Sequence, residues 1–273
     1  MNSAHKRKAL QCAVAAARAA GQMMRDNFRS AKKIDSATQH DIKLELDVRC
    51  QKRIEKMLRA AFPEIAILGE EGTLGDPRAE FRWVVDPIDG TVNFAYGIPH
   101  AAVSIALQAR RRVTGSKPAV TARETEYDTI LGAVFDPFCN ELWTVLSGGP
   151  ARLNGRVIHA STRRKMNEAI ISIGFAKESS TMDKMLPVLN ELIRRVRKIR
   201  IMGSAALALV YVASGRVDAY LEYGLRLWDI AAGGLMIESA GGEFWHRPVE
   251  GEYAYRIIAN NGLLQHELEK FAQ

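Results

Sequence analysis

The residues of this 273-residue chain best suited to chemistry are acidic, and they fall in three short clusters. Glu70 and Glu71 follow the apolar run Ala66-Ile67-Leu68-Gly69. Taken alone, two glutamates at a strand end read as a solvated turn. The second cluster, Asp86-Pro87-Ile88-Asp89-Gly90-Thr91, leaves the apolar stretch Trp83-Val84-Val85. Asp-Pro and Asp-Gly pairs form turns, yet this one is unusually acidic for a turn at the end of a buried strand. Two carboxylates three residues apart, with a rigid proline between them, can converge on one point. Hard cations such as Mg²⁺ take oxygen ligands and keep waters and phosphate oxygens beside them. Asp86, Asp89 and the Ile88 carbonyl offer that donor set. Gly90 and Thr91 add backbone N–H groups of the kind that cradle a phosphate at a helix start. The third cluster is Trp228-Asp229-Ile230. Asp229 stands where a helix should begin, so it reads either as an N-cap or as a carboxylate facing a metal, and one residue can do both.

The elements around these clusters follow from hydrophobic period and breakers. Ala9 to Phe28 reads as an amphipathic first helix, with Leu10, Val14, Ala17, Met24 and Phe28 on one face. Arg18 interrupts the Ala-rich stretch after Lys6-Arg7-Lys8, which argues for a packed helix rather than a targeting segment. A second helix spans roughly Leu46 to Phe62, before Pro63. Phe81 to Val85 is rich in β-branched and aromatic residues and reads as a strand, as do Ala101 to Ala109, Leu131 to Phe135 and Leu142 to Leu146. Arg110 to Asp128 is polar and basic and reads as a long hairpin loop. In the second half, Ala169 to Phe175 and Ala219 to Glu222 read as extended. Met182 to Val196, Ala205 to Ser214 and Ile230 to Ala240 read as helices, the last closed by Gly241-Gly242. The expectation is a layered α/β chain of two lobes, 1–149 and 150–273, forming one compact unit.

Bulk composition narrows the class. Hydrophobic residues make up 47% and charged residues 25%, as in ordinary globular proteins. No run approaches the roughly 20 apolar residues of a membrane span, so a cytoplasmic protein without a membrane partner is expected. Cys12, Cys50 and Cys139 are odd in number and far apart, which argues against a disulfide framework. The histidines, including His100, His159 and His246, lack metal-ligand spacing. A net charge of +7 draws anions, phosphorylated substrates among them, and would also favour nucleic acid without specificity.

Taken together, the segments resemble one family. Gly69-Glu70-Glu71, the stretch Trp83-Val84-Val85-Asp86-Pro87-Ile88-Asp89-Gly90-Thr91-Val92-Asn93-Phe94 and Trp228-Asp229 are similar, in order and separation, to the signature segments of the inositol monophosphatase family. Phe135-Asp136-Pro137, Leu153-Asn154-Gly155 and Gly203-Ser204-Ala205-Ala206 extend the resemblance over nearly the whole chain. The resemblance implies an αβαβα sandwich, a homodimer, inhibition by lithium, and Mg²⁺-dependent hydrolysis of a small phosphorylated polyol or sugar. It implies that Glu70, Asp86 and the Ile88 carbonyl hold one Mg²⁺, that Asp86, Asp89 and Asp229 hold a second, and that Glu70 helps a third ion. It implies that Asp47 and Thr91 orient and deprotonate the attacking water, and that the Gly90 and Thr91 amides bind phosphate. Asp89, Ala205 and Glu222 would line the hydroxyl-bearing part of the substrate.

One departure stands out. Three to four residues before Asp47 the family usually carries a hydroxyl-bearing pair, whereas this chain has Lys43 and Leu44. That bears on water activation and the third ion more than on the reaction class. Among substrates, the Asp86–Phe94 segment and Glu222 favour myo-inositol 1-phosphate over fructose 1,6-bisphosphate, histidinol phosphate and phosphoadenosine phosphate. A reading of another class is RNA or protein binding through Arg110-Arg111-Arg112, Arg163-Arg164-Lys165, Arg194-Arg195 and Arg197-Lys198. Such runs are usually solvated faces, and without a nucleic-acid motif no nucleic-acid partner is expected.

Overall fold

The computed structural model describes residues 1–30, 33–37, 42–111, 126–175 and 179–272. Helix α1 (Ser3–Asn27) is capped by the Asn2 side chain, which accepts from His5 N. A short hairpin of β1 (Ile34–Ala37) and β2 (Ile42–Leu44) leads into α2 (Glu45–Ala61). Strands β3 (Ala66–Gly69), β4 (Gly72–Leu74) and β5 (Phe81–Asp89) come next, then the short α3 (Thr91–Ala95). They are followed by β6 (Ala102–Arg110), β7 (Tyr127–Asp136), β8 (Glu141–Leu146), β9 (Arg152–Leu153) and β10 (Arg156–Val157). These strands form an eight-stranded sheet in the order β10-β9-β8-β7-β6-β5-β3-β4.

The second half begins with β11 (Ile170–Ile173), α4 (Ser179–Leu192), β12 (Lys198–Arg200) and α5 (Ala205–Ala213). It continues with β13 (Ala219–Arg226), α6 (Leu227–Ser239), β14 (Glu243–Pro248), β15 (Ala254–Asn260) and α7 (Gln265–Leu268). Its five strands form a second sheet in the order β12-β11-β13-β15-β14. Three hydrophobic clusters define the layers. Helices α1 and α2 cover one face of the first sheet, α5 and α6 lie between the sheets, and α4 with the C-terminal helical turns covers the far face of the second. The result is the αβαβα sandwich. Helices α5 and α6 are apolar all round, as burial on both sides requires.

Several expectations are corrected. α1 buries the stripe Ala9, Ala13, Ala16, Ala17, Ala20 and Met24, while Leu10 and Val14 are only partly covered. Small side chains let the helix lie close to the sheet, so the alanines rather than the larger residues form the contact. β5 continues through Asp89 instead of ending at Val85. The hairpin β14–β15 was not foreseen, because its residues Glu243–Pro248 are only partly buried and mix aromatic with charged side chains. Of the basic hairpin loop expected after Arg110, residues 112–125 lie outside those described, as does the side chain of Lys43. Among the described residues no helix is long and apolar enough to cross a membrane.

Candidate active site

The site is built where β5 departs from regular pairing with β6. Asp86 pairs with Ser104 and Asp89 with Ala102, so three steps along β5 match two along β6. Side chains alternate between faces with a period of two, and one extra residue reverses that alternation. The bulge therefore returns Asp89 to the face that carries Asp86. Pro87 falls within the bulge, where a missing N–H is tolerated. Ile88 N, in turn, donates to Asp86 Oδ1 at 3.0 Å, which pins the carboxylate to the irregular backbone.

Neighbouring elements bring further carboxylates to the same place. β3 runs parallel to β5 with Gly69 opposite Val85, and Glu70 N donates to Val85 O at 3.1 Å. Glu70 thus emerges beside Asp86, and the two side chains share a hydrogen bond. The turn after Glu70 is held from α2: the Gln51 side chain accepts from Glu71 N at 2.8 Å and donates to Gly72 O at 3.0 Å. On the other side, Ser104 Oγ donates to Trp228 O at 3.2 Å, drawing the start of α6 against β6. One oxygen each of Asp86, Asp89 and Asp229 then lie within 4.8 Å of one another.

Asp229 is not the N-cap. That position is Arg226, and Asp229 sits three residues on, accepting from Arg226 N at 2.7 Å. Asp47 uses the same device at the start of α2, accepting from Leu44 N at 2.7 Å. In both places the aspartate satisfies a backbone donor at the helix start, which has no partner within the helix. The departure at Leu44 is thereby explained in part. Its side chain is fully buried in the core beneath α1, while its backbone amide fixes Asp47 whatever the side chain. β2, which leads into α2, packs against α3, so one short strand lies between the element of Asp47 and that of Thr91.

Gly90 caps α3 with φ of 92°, in the left-handed region. A Cβ there would also come within 2.9 Å of His100 O. Thr91 Oγ1 donates to Ile88 O at 2.8 Å. Asn93 ties α3 to the loop before β6 through His100 O at 2.9 Å and to the loop before α5 through Met202 O at 2.8 Å.

α5 approaches from the second half of the chain and holds Asp89. Ala205 N and Ala206 N donate to its carboxylate at 3.2 and 2.8 Å, and the Ser204 hydroxyl donates as well. Burial pushes the Asp89 pKa up, while Ser204 and the backbone amides of Ala206, Ala205 and Leu207 oppose it. Asp86 has no such relief. Burial first, then the charges of Glu70, Asp89 and Asp229, push its pKa well above the carboxylate range. Glu222, on β13, is raised to about 7 by burial, opposed by the Tyr220 hydroxyl and assisted by the charge of Asp89. Sequence reasoning missed Ser104, Gln51, Ser204 and Tyr220. None has a local signature, since each acts on a residue distant in sequence or buried beside it.

The structure thus gathers Asp86, Asp89 and Asp229, attaches Glu70 to Asp86, and places Thr91, Ala205 and Glu222 around Asp89. Asp47 stands one element away. Asp86 and Asp89, both buried, with the partly buried Asp229 and Glu70, form a donor set for a hard divalent cation.

The sequence profile of the inositol monophosphatase family matches residues 5–117 and 120–272. A relative named Nus factor SuhB, from Xylella fastidiosa, is 38% identical over 97% of this chain and 94% of its own length. Among solved structures, extragenic suppressor protein suhB from Bartonella henselae superposes with a TM-score of 0.83 at 31% identity, covering 97% of this chain and 98% of that one. An inositol monophosphatase from Anabaena superposes with a TM-score of 0.80 at 30% identity, covering 97% of this chain and 95% of that one. With the whole length matched and the acidic bulge in place, this chain belongs to the inositol monophosphatase family.

Proposed function

We propose that this chain hydrolyses a small phosphate monoester in the presence of Mg²⁺, with myo-inositol 1-phosphate as its substrate. The observation that carries the reading is the convergence of Asp86, Asp89 and Asp229 through the β5 bulge and the start of α6. Glu70, Asp86, Asp89, Asp229 and the Ile88 carbonyl would hold two or three Mg²⁺. The donor set fits: all are oxygens, and the buried carboxylates repel one another unless a cation lies between them. Bound there, Mg²⁺ supplies the positive charge that balances a dianionic ester and the Lewis acidity that two-metal hydrolysis uses.

The rest is assigned to the protein's own groups. The Thr91 hydroxyl gives its hydrogen to Ile88 O, so its oxygen is free to accept from the attacking water. For the water's proton to reach Asp47, the Thr91 hydroxyl would turn its own hydrogen from Ile88 O to the Asp47 carboxylate as it takes up the proton from water; α2 holds Asp47 in place through Leu44 N. The Gly90 and Thr91 amides receive phosphate oxygens at the start of α3. Water adds to phosphorus, the ester P–O bond breaks, the departing alkoxide takes up a proton from solvent, and the alcohol leaves past Asp89, Ala205 and Glu222, whose polar groups take the substrate's hydroxyls.

Phosphate release from a panel of esters tests the reading. Inositol 1-phosphate should lead fructose 1,6-bisphosphate, histidinol phosphate and phosphoadenosine phosphate in kcat/KM, and lithium should inhibit. Another ester better by tenfold or more would replace the proposed substrate and leave the phosphatase reading standing.

Two further parts of the reading concern partners. A homodimer is favoured by the exposed apolar residues Val92, Tyr96, Ile98 and Ile201, which flank the junction of α3 with the loop before α5. Sedimentation at micromolar concentration would show twice the chain mass, and Ile98→Asp should reduce it. Relatives carry the name Nus factor, and a second role, binding RNA or protein through basic clusters, is the alternative reading. Exposed Arg194, Arg197, Lys198 and Arg200 at and before edge strand β12 offer the charge for it. Filter binding with no salt-dependent retention of RNA would dismiss that role.

A further inference from the structure

Glu222 is held by two residues with no assigned part in the reaction. Tyr220 and Glu222 are two apart on β13 and so project from the same face of the sheet, towards α5. Both are buried, and the Tyr220 hydroxyl donates to Glu222 Oε2. The tyrosine ring itself is locked in the central core with Leu225, Ile257 and Ala259. Gly174 lies against the same carboxyl group. It follows β11 and continues the parallel ladder by donating its N–H to Leu221 O at 3.1 Å. A Cβ on Gly174 would stand 1.6 Å from Glu222 Oε2 and 2.3 Å from its carboxyl carbon. Any side chain at 174 therefore displaces the carboxyl group.

The division of labour within the carboxylate follows. Oε2 already accepts from Tyr220, so Oε1 is the less occupied oxygen for a further donor. A buried carboxylate fixed through one oxygen is a directional acceptor, suited to a hydroxyl of defined position rather than to any polar group that enters. Burial and the nearby charge of Asp89 raise the cost of leaving it ionised without such a donor.

We propose that Tyr220, aided by the bare α-carbon of Gly174, is the positioning residue for Glu222 and so sets the preference for polyol phosphates over esters lacking hydroxyls. The proposal rests on the reading of Glu222 as a hydroxyl-binding group. It is tested by comparing kcat/KM for inositol 1-phosphate and phenyl phosphate in Tyr220→Phe, Glu222→Gln and the wild type, all with Mg²⁺. Loss of the tyrosine hydroxyl should lower kcat/KM for inositol 1-phosphate about tenfold, mainly through KM, as for one hydrogen bond to a charged acceptor. Phenyl phosphate should change by no more than about twofold, within the scatter of removing a group it never uses. Gly174→Ala keeps the hydroxyl but drives a methyl into the carboxyl at the oxygen Tyr220 holds, and it should cause the same selective loss if Tyr220→Phe does not fold. If Glu222→Gln shifts the ratio of the two esters while Tyr220→Phe and Gly174→Ala leave it unchanged, the positioning role is overturned. Equal losses on both esters in Tyr220→Phe would overturn it too, as the mark of a general packing defect. If Glu222→Gln leaves the ratio unchanged, the hydroxyl-binding reading of Glu222 is what fails, and the proposal falls with it.

Discussion

Two groups of buried carboxylates in this chain are treated in opposite ways. Asp218, at the start of β13, is fully buried and saturated by the protein itself. It accepts from the Ser161 hydroxyl, from Arg163 Nε at 3.0 Å and from Ile170 N at 2.7 Å. Asn261 extends the same network by donating to Ser161 Oγ and Arg163 O. Asp86 is just as buried, but beside the single amide of Ile88 its charged neighbours are Glu70, Asp89 and Asp229, which with burial raise its pKa. A buried charge with its own cation and donors is an arrangement complete in the fold. A buried charge beside other carboxylates has to be completed by something from outside the chain, which is what a metal-dependent site requires.

The largest expected break in this contrast is functional. Asp86→Asn should lower phosphate release at least about a thousandfold, close to 4 kcal/mol of transition-state stabilisation. The same substitution should raise the melting temperature of the metal-free protein, because it removes one of the mutually repelling carboxylates. Calorimetric scans with chelator present would check this. Asp218→Ala should do the reverse: a loss of about 3 kcal/mol of stability, from donors left without their acceptor. Denaturant unfolding would register that loss, while the Mg²⁺ affinity of the folded protein stays within about twofold, the charge removed lying outside the cluster.

How far this contrast is readable in the sequence depends on how locally each group is assembled. The cluster Asp86-Pro87-Ile88-Asp89 is visible because its chemistry is compressed into four residues. What the string hides is the bulge. The turn formers predict a chain leaving the sheet at Asp86, whereas β5 stays paired to Asp89 and bends within the ladder. Asp229 is visible as a helix-start aspartate, but its place at the third helical residue rather than the cap depends on where β13 hands over to α6. Asp218 is silent, since its partners Ser161, Arg163 and Ile170 lie about 50 residues upstream and no periodicity links them. The hold of Ser204 and Ala206 on Asp89 spans a gap more than twice as long, 115 and 117 residues, between the halves of the chain. The longer helices and the central strands of the first sheet were legible from hydrophobic period, whereas short strands such as β2 and β12 and the β14–β15 hairpin were not. Which face α1 buries was not, because close approach to a sheet selects alanine over leucine.

Smaller effects sharpen the comparison. Glu222 lies between the two cases, with one internal donor and a pKa raised from the ordinary 4.5 of a glutamate to about 7. A carboxyl raised in the folded state favours folding fully below the unfolded value and loses that contribution as pH rises through the folded one. Metal-free wild type should therefore lose stability between about pH 4.5 and 7, by an amount on the order of 3 kcal/mol. Glu222→Gln should flatten that part of the pH–stability curve. The smallest effect expected is at Gln51→Ala, which removes the bridge to Glu71 N and Gly72 O. It should cost about 1–2 kcal/mol of stability and weaken Mg²⁺ binding severalfold by loosening the turn that presents Glu70, measurable by titration calorimetry.

The central claim is that the carboxylates gathered by the β5 bulge form a phosphatase site completed by Mg²⁺. Its most direct test is a Mg²⁺ titration of the chelator-treated wild type, following heat of binding and phosphate release from inositol 1-phosphate in the same samples, with Asp86→Asn in parallel. The account predicts that release rises from zero in step with Mg²⁺ uptake, and that Asp86→Asn loses both while remaining folded. Phosphate release that is undiminished in chelator, or a folded wild type that takes up no Mg²⁺ at millimolar concentration, would contradict it.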